Sequence, residues 1–216
     1  MDHRDPATDG LIRAPDHRRD VLVLELEPAT QQLGMLVASV TDAQLSAATP
    51  CPRYTLGDLI DHVNGLSVAF TYAARKEPVP GRGGSGPSGD ADRLAADWRT
   101  QIPGRLADLA AAWRDPLAWQ GMTRAGGLDL PSEVAGLVAL NEVVVHGWDV
   151  SRATGQAYAV DDHVAAACMQ FVSMSADDRS PDSSLFGPVV PVPEGATALE
   201  RLVGLSGRDP KWTAAP

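Results

Sequence analysis

The stretch from Val134 to Val150 is apolar enough that it must be buried, yet it carries Glu142, His146 and Asp149. Its length and composition are those of a helix inside a core. At about 100° per residue, His146 lies about 40° from Glu142 on one side and Asp149 about 20° away on the other. All three therefore share one wedge of roughly 60°. An unpaired carboxylate in an apolar interior is too costly to persist. The helix must face something that satisfies a carboxylate and an imidazole together. A bound cation would do so, and so would a plain Glu–His hydrogen bond at i, i+4 spacing. The spacing leaves both open.

The rest of the chain supplies helices to pack against this one. Pro28 suits a first-turn position, and Leu33, Leu36, Val37 and Val40 then recur at helical spacing. A second helix is predicted from Leu56 to Arg75, opened by Thr55 and Asp58 in the pattern of a capping box. Leu59, Val63, Leu66 and Phe70 form its apolar stripe, with His62 at the edge. A third helical region is predicted over Ala91–Trp113, kinked or split at Pro103. Trp119 to Leu130, with Gly126-Gly127 at its centre, predicts a short hairpin. Ser132 is the expected N-cap of the central helix, which should end near Gly155. Further helices are expected over Asp162–Met174 and Ala196–Leu205, flanking an extended, Pro-rich stretch from Phe186 to Pro193.

This pattern predicts an all-α fold: a four-helix bundle with a long crossover and a C-terminal helical extension. The expected division is a flexible arm over 1–20, the bundle over 21–155, and an extension over 156–216 packed on it. The Gly-rich run Gly81–Gly89 lacks the strand–loop–helix setting and the lysine of a phosphate loop, so it is expected to be a linker.

A site around Glu142 and His146 needs a third ligand. His3 and His17 fall in the arm, and His163 follows two aspartates at a helix start. His62 alone lies on the core side of a bundle helix. Two histidines and one carboxylate would leave an open coordination position, although a single histidine on an apolar face also reads as a satisfied core residue. Asp149 is better placed to hold a ligand histidine through its far ring nitrogen than to bind a metal itself. A two-His, one-carboxylate set also suits Fe(II). Arg124 and Arg152 are candidates for guiding a substrate.

Composition excludes several functions. A net charge of −10 argues against a nucleic-acid surface and against an anionic membrane. Cys51 and Cys168 form no CxxC, so neither a disulfide framework nor a cysteine zinc site is expected, and a reducing cytoplasm fits. Neither a signal peptide nor a membrane span is legible near the N-terminus.

Thr49-Pro50-Cys51-Pro52 followed by Leu59-Ile60-Asp61-His62-Val63, and Asn141-Glu142-Val143-Val144-Val145-His146-Gly147-Trp148-Asp149, resemble the two signatures of an actinobacterial family. That family is related to the metal-binding domain of mycothiol-dependent maleylpyruvate isomerase, within the DinB/YfiT-like superfamily. Phe186–Pro193 and Gly207-Arg208-Asp209-Pro210 resemble the ending of one of its subgroups. Arg53-Tyr54 replaces a frequent Gly-Trp at the start of the second helix, a change at the pocket mouth. The resemblance implies a DinB-like bundle with one divalent metal, usually zinc (nickel or iron being alternatives), held by His62, Glu142 and His146. It implies mycothiol or another small thiol as co-substrate, an electrophile as second substrate, and S-transfer or isomerisation as the reaction. The isomerase's own C-terminal domain has no recognisable counterpart. The competing expectation is a non-catalytic metal- or ligand-binding regulator. Either a monomer or a homodimer fits.

Overall fold

The computed structural model describes residues 24–80, 86–174 and 186–214. Its order is α1 (Glu27–Ala38), α2 (Leu56–Arg75), α3 (Trp98–Trp113), β1 (Met122–Ala125), β2 (Leu128–Pro131), α4 (Ser132–Thr154), α5 (Asp162–Met174) and α6 (Ala198–Leu205). The expected arm lies outside the described residues, as do 81–85 of the Gly-rich run.

α1 and α2 each pack against both α3 and α4. The four helices therefore form a ring in the order α1, α3, α2, α4. Leu33, Val37, Leu59, Ile60, Ile102, Leu106, Leu140 and Val144 fill its centre. α5 packs on α4 and on α6, so the C-terminal part lies against the outside of the helix that carries the wedge. Among the described residues no helix is long and apolar enough to cross a membrane.

Local chemistry explains most element ends. Thr55 caps α2 in a reciprocal box with Asp58, satisfying donors that the first turn leaves without partners. Gly126 and Gly127 take φ of +58° and +85°, as a two-residue hairpin turn demands. The register pairs Thr123 with Leu130 and Arg124 with Asp129.

Three expectations need correction. The third helix begins at Trp98, and Ala91–Arg93 is a separate 3-10 turn. The backbone N–H groups of Asp90 and Ala91 are drawn sideways to Asp61 and Asp58 of α2. Pro103 does not split α3, which runs through it; its ring packs on Gly34 of α1, where an added Cβ would lie 3.4 Å from the Pro103 Cβ. Ser132 is the first residue of α4 and not its cap, because β2 runs directly into the helix through Pro131. The Ser132 N–H donates to the Gly121 carbonyl, 2.9 Å away.

Candidate metal centre

The site lies between α2 and α4, neighbours in the ring. His62 projects from α2 and the wedge from α4. The i, i+4 step places Glu142 Oε2 3.0 Å from His146 Nε2. The further i, i+3 step places Asp149 Oδ2 2.9 Å from His146 Nδ1. Across the helix interface, His62 Nε2 lies 3.8 Å from the same Glu142 oxygen. Ligand atoms of His62, Glu142 and His146 all fall within 4.8 Å of one another. The two imidazole rings meet edge to face, 5.2 Å between centroids.

Both outer ring nitrogens are held. The Pro87 carbonyl accepts from His62 Nδ1 at 2.8 Å, and a carbonyl can only accept. Asp149 does the same for His146. Each ring thereby turns its Nε2 lone pair toward Glu142. Two lone pairs and an anionic oxygen repel unless a proton or a cation lies among them.

Without a cation, a proton shared between His146 Nε2 and Glu142 Oε2, 3.0 Å apart, relieves that repulsion. Burial works against the imidazolium, but hydrogen bonds to Asp149 and Glu142 outweigh it and raise the pKa above its usual value. Burial likewise pushes Glu142 upward, yet His146 and His62 bring it well below the usual carboxylate range. Asp149 is lowered too, with Arg208 and His146 overcoming its burial.

Arg208 is the partner that sequence reasoning missed. Its Nε and Nη2 donate to the two oxygens of Asp149 at 3.3 and 3.1 Å. The motif Gly207-Arg208-Asp209-Pro210 was legible, but not the long-range contact it makes. Pro87 was also missed, because it falls in a run read as linker. Residues 86–89 in fact lie against α2: a Cβ on Gly89 would come within 2.1 Å of the Asp58 carbonyl oxygen. Arg93 donates to buried Asp61 at 2.7 Å and holds this segment down. Tyr54 stacks on the His62 ring at 5.0 Å. The Arg53-Tyr54 departure therefore falls beside His62.

Other candidates lie elsewhere. Arg152 donates to the Trp212 carbonyl, and Arg124 sits on the exposed hairpin beside Asp129. His163 is exposed on the first turn of α5. Cys51 is buried, and burial raises its thiol pKa despite the nearby Arg208. The Glu142 side chain remains 22% exposed, so the cluster opens to solvent on one side. A small, mostly apolar cleft lined by Leu33, Val63, Phe70, Leu106 and Val143 also borders Glu142.

Fold and cluster together define a helical-bundle protein with a His–Glu–His constellation between two adjacent helices. The chain belongs to the mycothiol maleylpyruvate isomerase N-terminal domain family, whose sequence model matches residues 26–151. It is 29% identical over 140 residues to uncharacterized proteins from two strains of Mycobacterium tuberculosis, a match spanning 63% of this chain and 69% of theirs. Among solved structures it is similar to a histidine-to-alanine mutant of mycothiol-dependent maleylpyruvate isomerase. That likeness has a TM-score of 0.48 and 12% identity, covering 88% of this chain and 80% of the other. Another structure of that isomerase gives a TM-score of 0.43 at 17% identity, covering 72% and 67%.

Proposed function

We propose that His62, Glu142 and His146 hold a divalent cation, zinc foremost, and that the protein uses it in mycothiol-dependent S-transfer or isomerisation. The observation that carries the metal reading is the convergence of two imidazole Nε2 atoms on one half-buried carboxylate oxygen, each ring held from behind. Donors around a tetrahedral zinc at about 2.0–2.1 Å stand roughly 3.4 Å apart. The two separations from Glu142, 3.0 and 3.8 Å, bracket that value, and with all three ligand atoms within 4.8 Å of one another a small closing of the two rings would fit the ion. When bound, the cation would favour the thiolate form of a small thiol, the nucleophilic form.

The chain's own residues prepare this chemistry. Asp149 and Pro87 fix which nitrogen of each imidazole is free. The cluster itself carries one negative charge, from Glu142, so a dication there keeps positive charge toward an incoming anion. The apolar cleft beside Glu142 lowers the local dielectric and strengthens that attraction. Family membership supports mycothiol as the thiol, and the two buried, unpaired cysteines fit a reducing cytoplasm.

The second reading is a non-catalytic metal-binding regulator, favoured by the small size of the cleft beside Glu142. Incubating the metal-loaded protein with mycothiol and a panel of electrophiles separates the two. Loss of mycothiol that disappears in His62→Ala supports catalysis. No turnover by wild type supports the regulator. A His62→Ala protein that retains both metal and turnover refutes the site.

A further inference from the structure

We infer that Arg208 is a positioning residue of the metal centre, so that the C-terminal segment is a structural part of the site. The inference rests on the reading of His62, Glu142 and His146 as ligands. It starts from the fate of Asp149, which is fully buried. A buried carboxylate with a single imidazole partner would be under-satisfied. Arg208 supplies the rest through two parallel N–H donors, the geometry in which a guanidinium orients a carboxylate most firmly. Asp149 Oδ2, the oxygen that takes Arg208 Nη2, is also the one facing His146 Nδ1. One rigid chain therefore runs from Arg208 through Asp149 and His146 to Glu142.

The backbone around Arg208 is built to deliver it. α6 ends in a Schellman turn, with the Arg208 N–H donating to Val203 and that of Gly207 to Gly204. Gly207 sits at φ +81°, and a Cβ there would meet the Gly187 Cα at 2.6 Å. The third guanidinium nitrogen, Nη1, donates to the Ser206 carbonyl at 3.0 Å. With its side chain only 10% exposed, Arg208 faces into the protein.

The family model ends at residue 151, so this partner comes from beyond the matched domain. A second tether, Arg152 to the Trp212 carbonyl, holds the same C-terminal segment without touching Asp149. It provides the control.

The test measures zinc affinity by chelator competition, and the visible spectrum of the cobalt(II)-substituted protein, for wild type, Arg208→Met, Arg208→Lys and Arg152→Ala. Arg208→Met should lose roughly 10–100-fold in affinity, the usual effect of removing a group behind a ligand, and shift the cobalt bands. Arg208→Lys should recover part of that loss, and Arg152→Ala should bind like wild type. In an Asp149→Asn background, Arg208→Met should add little further loss. If Arg208→Met does not fold, the Arg208→Lys and Arg152→Ala pair decides: equal affinity in the two overturns the inference. Wild-type affinity and spectrum in Arg208→Met also overturn it, as does an equal loss in Arg152→Ala, which would mean general loosening of the C-terminal segment. Failure of wild type to bind zinc instead overturns the ligand assignment beneath it.

Discussion

Metal and proton compete for one atom, His146 Nε2, and the competition has a calculable size. That nitrogen faces Glu142 at 3.0 Å, and despite burial the pKa of His146 is raised by its two carboxylate neighbours, which favours a proton there. A cation bound there must displace that proton. Below the raised pKa, one proton released per ion makes affinity rise about tenfold per pH unit, or about 1.36 kcal/mol. Between about pH 5.5 and 6.5, affinity should therefore improve by up to about tenfold.

Calorimetric titration of zinc in buffers of different ionisation enthalpy counts the released protons directly. Stability of the metal-free fold should move the other way. His146 is raised in the folded state, so its contribution is complete below the unfolded value of 6.5 and is lost as pH rises through the folded value. Glu142 and Asp149 are lowered from 4.5 and 3.8. Their contributions are present above those values and lost as pH falls through the folded ones. Binding that releases no proton and is flat with pH across this window would refute the assignment of His146 as a ligand through Nε2.

Gly136→Ala would place a Cβ 2.4 Å from Trp119 Cζ3 and 2.9 Å from Trp113 Cζ3. Overpacking of this kind costs about 1–3 kcal/mol, readable as a lower urea midpoint with altered tryptophan fluorescence. Thr55→Ala removes the cap of the helix carrying His62 and should cost about 1 kcal/mol in the same assay. Cys168 is fully buried and its thiol is pushed up to about 12. It should resist a thiol-specific reagent in the native protein and react on denaturation, because the thiolate is the reactive form.

What could be read from the chain alone follows the range of the interactions. The wedge on α4 was legible because i, i+3 and i, i+4 neighbours are fixed by helix geometry. His62 was legible as its partner because one apolar stripe placed it toward the core. The start of α3 was not, since Ala91-Asp92-Arg93 has helical composition. The neighbouring N–H groups of Asp90 and Ala91 are spent on Asp61 and Asp58, some thirty residues back in the chain. The same limit hid Pro87 and Arg208. Both act on the site through contacts across folded elements, and neither residue type signals a role behind a metal ligand. Ser132 had the composition of a cap, but a strand entering the helix directly left that position to Pro131.

Elemental analysis of protein purified without added metal or chelator tests the central claim most directly. The account predicts about one divalent ion per chain, zinc foremost, retained through gel filtration and lost in His62→Ala and Glu142→Gln. Wild-type protein that carries no metal, and takes up none from micromolar zinc at neutral pH, would contradict it. The cluster would then be an internally hydrogen-bonded Glu–His–Asp–Arg network.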